Sequence, residues 1–136
     1  GDSSLFAFSM HGDTNYPFRK TAGDLDVALR EGTGDLAYLS ALDESLAWIE
    51  ERFPADFVFY VAGADAWVGD RLGKLSLSKQ GLLLRDERVF RWCADRNLPV
   101  SVCMAGGYAP NISDIVDIHF QTISAANSWA LRRSRS

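Results

Sequence analysis

Three polar side chains stand just past apolar runs: His11, Asp65 and Tyr108. An imidazole, a carboxylate and a phenol are the groups that bind ligands and move protons. Asp65 follows the run Phe57 to Ala62 by three residues, and Tyr108 follows Val100 to Met104 after the paired glycines Gly106 and Gly107. His11 lies two residues past Leu5 to Ser9. Each also has a plainer role. An aspartate after a strand is most often a turn former or cap, and a tyrosine after two glycines a packed surface aromatic. A lone histidine is more often structural than a ligand, and His119 falls inside a helical pattern with no role assigned. On spacing alone these residues mark a binding site at a sheet edge and nothing finer. Ala105 to Ala109 is no phosphate loop, because the third glycine and the downstream lysine are absent.

The elements that must position these residues follow from periodicity. Leu5 to Ser9 reads as a short buried strand running into a polar loop from Met10 to Phe18, and Leu25 to Leu29 alternates as a second strand. Asp35 ends a turn as a candidate N-cap. Leu36, Leu39, Leu42, Leu46, Ile49 and Phe53 then recur at helical spacing until Pro54 stops them. Phe57 to Ala62 is six apolar residues without alternation, the pattern of a strand buried on both faces. Ser78 caps a second helix carrying Leu82, Val89, Phe90, Cys93 and Ala94. Val100 to Met104 is a further strand, and a third helix runs from about Ile112 toward Trp129. Strand and helix alternate with room for right-handed crossovers, which predicts an α/β fold with helices on both faces of a parallel sheet. Its ligand site belongs outside the carboxyl ends of the strands.

Composition sets the class. The 136 residues are 47% hydrophobic and 24% charged, the balance of one soluble domain. A formal charge of −4 argues against nucleic acid as the main partner. The basic end, residues 132–136, reads as a disordered, solvated tail. Cys93 and Cys103 lack metal-site spacing and suit a reducing cytoplasm. No apolar run approaches the roughly 18 residues of a membrane span, and no signal peptide opens the chain. It begins abruptly, as the middle of a longer protein would.

The run from Gly63 through Asp65, Gly69, Asp70, Arg71 and Leu72 to Gly73 resembles the Gly-x-Asp-x-x-x-Gly-Asp-Arg-Leu-Gly signature of the histone deacetylase superfamily. Ser9-Met10-His11 with Asn15 to Phe18, Gly32 to Asp35 before Tyr38 and Leu39, and Gly106-Gly107-Tyr108 match in order. With Arg85, Asp86, Val89 and Phe90 they resemble the class IV-like and bacterial members. The match runs from Leu5 to about Ile123. It implies a three-layer α/β/α, arginase/deacetylase-like fold in which residues 1–136 form the C-terminal part of a single catalytic domain.

The resemblance also implies roles. Asp65 matches one of three zinc ligands, and Tyr108 matches the donor that stabilises the oxyanion when zinc-bound water attacks the acyl carbonyl. Leu72 and Gly106 match channel residues, Tyr16 or Phe18 an aromatic wall, and Ser9 and Met10 a structural potassium site. The substrate implied is an acyl-lysine or another acylamine. Departures matter as much. The tandem histidines that serve as base and acid, and the Asp-x-His loop that brings the other two ligands, do not occur in this sequence. Trp67 is bulkier than expected beside the metal aspartate, and Ala105 replaces a frequent glycine. The implied sheet has the strand order 2-1-3-8-7-4-5-6, of which this chain supplies the last four strands in sequence. The strand joining the two pairs is missing. Two readings follow: a segment of a zinc amidohydrolase completed by its N-terminal half, or a non-catalytic binding or structural module that pairs with itself or a partner chain. A dinucleotide-binding unit is excluded, because no Gly-x-Gly-x-x-Gly turn follows a first strand.

Overall fold

The computed structural model describes residues 2–15 and 22–135. Strand β1 (Phe8–Gly12) and strand β2 (Leu25–Leu29) are followed by helix α1 (Asp35–Arg52) and strand β3 (Val58–Gly63). Helix α2 (Lys79–Asp95), strand β4 (Val100–Ala105) and helix α3 (Ile112–Ser134) complete the order. The strands form two separate parallel pairs, β1 with β2 and β3 with β4, as the missing joining strand predicts. β3, α2 and β4 make one crossover unit, the connection that parallel strands require.

The first strand lies three residues later than its apolar run suggests. Asp2 accepts from the Ser4 and Leu5 amides and turns the chain there. Pairing begins only at Phe8 opposite Leu25. Met10 and His11 therefore belong to the strand and not to the loop beyond it.

Helix α1 starts at Asp35 with Gly34 as its cap and no side-chain capping bond. Asp35 is thus not the cap. Its carboxylate instead accepts from the Ser78 amide and hydroxyl at 2.8 and 2.5 Å, pinning the start of α1 to that of α2. Gly81 makes this approach possible, because a Cβ there would collide with the Asp35 carboxylate. Pro54 forces Phe53 extended, and α1 ends at Arg52. Leu36 is 88% exposed, so the core face of α1 begins with Tyr38 and Leu39. Ser78 caps α2 as expected, accepting from the Gly81 amide. At the other end Asn97 takes φ of +56°, and the Leu98 amide closes the helix on the Cys93 carbonyl. Asn111 caps α3, which runs beyond Trp129 to Ser134. Residues expected in a disordered tail are therefore helical as far as Ser134. Arg133 also reaches back to the Leu98 carbonyl at 3.2 Å.

All three helices share one core, in which Leu42, Leu46, Leu82, Val89 and Ile118 are buried. Val58, Tyr60 and Val100 pack against it from the strands. At its centre lies a charged network. Asp86, fully buried, accepts from Tyr60 Oη, Arg85 Nε and Thr122 Oγ1. It so joins β3, α2 and α3. Burial works against the charge of Arg85, but Tyr60, Asp86 and Tyr38 around it outweigh that, and its proton is held more tightly than usual.

The expectation that Phe57 to Ala62 is buried on both faces fails. Phe59 and Val61 point away from the helices and are 71% and 63% exposed. The apolar run encodes two packed faces, and the described residues supply a layer for only one.

Candidate functional site

The loops that leave β3 and β4 meet at one end of the second sheet. The Ala64 amide donates to the carbonyls of Ala105 and Gly106 at 3.1 and 3.3 Å. The Tyr108 amide donates to Asp70 Oδ2 at 2.7 Å, and the Arg71 amide to the Tyr108 carbonyl at 3.3 Å. These bonds bring Asp65, Gly106, Tyr108 and Leu72 into one cluster. Tyr108 and Leu72 keep 61% and 55% of their surfaces open to solvent.

Asp65 is held by glycines. A Cβ at Gly63 or Gly106 would lie 2.5 or 2.7 Å from its Oδ1, and one at Gly73 would run into its carbonyl. Gly106 also has φ of +48°, a left-handed conformation that costs other residues roughly 1–2 kcal/mol. Gly63 and Gly73 of the signature run and Gly106 of the neighbouring loop therefore let two loops close around Asp65. Among the described residues no hydrogen bond reaches that carboxylate.

A single carboxylate is not a zinc site. Among the described residues no three His, Cys, Asp or Glu side chains come together to hold a metal. Asp65 fits as one donor, and catalytic zinc takes three from the protein.

The other expected residues lie apart. Ser9 and Met10 sit in β1, in the first sheet, where the Ser9 hydroxyl is 3.1 Å from His11 Nδ1. His11 is thereby paired locally and does not join the Asp65 cluster. Tyr16 and Phe18 lie outside the described residues. Trp67 packs its ring over Gly69, 5.4 Å from Lys79 Nζ. The first sheet is stitched to the site loop by backbone bonds from Gly32 to the Lys74 carbonyl (2.8 Å) and from Ser76 to the Thr33 carbonyl (2.9 Å). Asn15 Oδ1 also accepts from the Lys74 amide at 2.9 Å. Two matched residues contribute in ways that the sequence alone does not assign. Asp70 lies within the signature run, and Arg85 donates to the Gly63 carbonyl at 2.7 Å, steadying the backbone two residues before Asp65.

Comparison with known proteins decides the family. The histone deacetylase domain family matches residues 1–123. The chain belongs to the histone deacetylase family. An uncharacterized protein of Picosynechococcus is 43% identical over 118 residues, covering 87% of this chain and 39% of that protein. Histone deacetylase 2 of Arabidopsis thaliana is 32% identical over 126 residues, covering 90% of this chain and 33% of that one. A solved histone deacetylase homolog from Aquifex aeolicus superposes with a TM-score of 0.72 at 24% identity, over 96% of this chain and 36% of that chain. The solved HD domain of HDA15 gives 0.62 at 26% identity, over 86% and 37%. The chain thus spans only 33–39% of the length of these relatives. The α/β fold expected of a histone deacetylase is present, in the part that carries Asp65 and Tyr108. No described helix is long and apolar enough to cross a membrane.

Proposed function

We propose that this chain is the C-terminal segment of a zinc-dependent deacetylase acting on acyl-lysine or related acylamine groups, and that it hydrolyses nothing alone. The observation that carries the reading is the Asp65 carboxylate, which no hydrogen bond reaches among the described residues, set among glycines beside the Tyr108 loop. Zinc, when bound, activates a water and polarises the acyl carbonyl. Asp65 supplies one ligand. The Tyr108 hydroxyl donates to the acyl oxygen as negative charge develops there, a contribution that grows toward the transition state. Leu72 and Gly106 line the approach of the acyl chain, with Tyr16 or Phe18 as the aromatic wall. The Ser9 hydroxyl and Met10 carbonyl hold potassium. Both cysteines are free, which fits a reducing cytoplasm.

The remaining ligands and the general base come from a further segment, which also inserts the strand between β1 and β3. The separate sheets support this, as does the small share of each relative that the chain covers. In the completed protein Tyr108→Phe is expected to leave metal binding intact while turnover of an acetyl-lysine peptide falls about a hundred- to thousandfold. Near wild-type turnover of that variant would remove Tyr108 from the mechanism.

A second reading has its own support. Among the described residues β3 has one edge unpaired, without proline or lysine, and its outer face exposes Phe59 and Val61. Such an edge is a template for pairing, and a bare apolar face favours association. A module that pairs with a second copy and performs no hydrolysis would present the same surface. On either reading, light scattering is expected to find the chain associated at micromolar concentration. A folded monomer with a cooperative melt and no partner would contradict both.

A further inference from the structure

We propose that Asp70 is a positioning residue that fixes Tyr108 at the mouth of the site. The inference rests on the deacetylase reading for its effect on turnover, but its geometry stands on bonds already described. Asp70 Oδ1 accepts from the Leu72 and Gly73 amides at 2.9 and 2.7 Å. Its Oδ2 accepts from the Tyr108 amide at 2.7 Å. One carboxylate thus closes the turn that sets Gly73 against Asp65 and, with its other oxygen, grips the neighbouring loop. The Arg71 amide holds the Tyr108 carbonyl, so the backbone of Tyr108 is held on both sides from one turn.

Little else can do this. Tyr108 is mostly exposed, so packing does not fix it. The two residues before it, Gly106 and Gly107, have φ of +48° and +140° and carry no side chain to restrain the loop. A donor that must meet a developing oxyanion has to be in place beforehand, because reorganising it during the reaction forfeits its effect. Charge-assisted bonds from a carboxylate to backbone amides are about twice as strong as neutral ones. Only a carboxylate offers two acceptor atoms here. An asparagine would turn an NH2 group toward one set of amides and release either the turn or Tyr108.

The test uses the completed protein with Asp70→Asn, alone and combined with Tyr108→Phe. A second variant replaces the Tyr108 residue by its α-hydroxy acid, which removes the N–H that donates to Asp70 and keeps the side chain. Asp70→Asn is expected to lower kcat about ten- to hundredfold, below the ceiling set by losing the hydroxyl altogether. KM and zinc affinity should change less than kcat, because Gly63 and Gly106, which flank the Asp65 carboxylate, lie outside the Asp70 turn. In the Tyr108→Phe background the same change should cost less than about threefold, since residues acting as one unit are not additive. The α-hydroxy variant should reproduce the kcat loss with no change at Asp70.

Hydrogen exchange reads the positioning without any turnover. The Tyr108 amide should exchange slowly in the wild type and quickly in Asp70→Asn. Equal protection in both proteins would overturn the proposal. So would a loss in kcat that multiplies fully with that of Tyr108→Phe, or normal kcat in the α-hydroxy variant. Absence of deacetylation by the wild type together with deprotection in Asp70→Asn would defeat the deacetylase reading and uphold the positioning.

Discussion

Asp65→Ala in the completed enzyme is expected to abolish zinc binding and to bring turnover below detection. On the proposed reading the carboxylate is the metal donor that the described residues bring to the cluster, and a catalytic zinc keeps three protein ligands with one position open. Alanine would leave the surrounding glycines untouched. The turn through Asp70 and the contact between the loops should therefore survive. The expected pattern is a normal melt without metal, no zinc retained after gel filtration, and no chelator-sensitive hydrolysis. Tyr108→Phe should differ in kind, with zinc retained and turnover reduced. If Asp65→Ala kept its zinc, the metal would have to sit elsewhere and the assignment of the cluster would fail.

The second large effect is on stability. Asp86→Ala is expected to cost about 3–5 kcal/mol, as breaking a buried ion pair from one side usually does. The substitution would leave Arg85 charged inside the core and would take acceptors from Tyr60 and Thr122 together. Burial already raises Tyr60 well above the ordinary tyrosine pKa, so its hydroxyl stays protonated and continues to need an acceptor. Urea unfolding followed by circular dichroism measures the change. A loss below about 1 kcal/mol would mean that water replaces Asp86, and that Arg85 does not steady the Gly63 carbonyl through this network.

Much of the local structure was legible. Ser78 before an amphipathic run, Pro54 after one, and the turn at Asn97 before Pro99 mark their boundaries through backbone chemistry that acts within a few residues. The separation of the sheets was legible too, because the implied strand order leaves a gap where a strand is missing. What failed was tertiary. Phe57 to Ala62 encodes two buried faces, but a sequence cannot say which covering layer is present. The Asp2 turn moved β1 to Phe8–Gly12, and so placed Met10 and His11 inside a strand. Asp35 looked like a cap and is a tie between two helices, since its partners on Ser78 stand 43 residues away. The site was read at Asp65 and Tyr108 from the resemblance. The roles of Asp70 and Arg85 needed the folded loops, because each acts by gripping backbone from another element.

On the proposed reading this chain holds one ligand and the oxyanion donor, and needs a further segment for chemistry. Hydrolysis of an acetyl-lysine peptide by the purified chain in added zinc, against its own Tyr108→Phe variant, tests it most directly. No turnover above the variant is expected, with chelator-sensitive turnover appearing only in the completed protein. Chelator-sensitive hydrolysis by the chain alone, lost in Tyr108→Phe, would contradict the account.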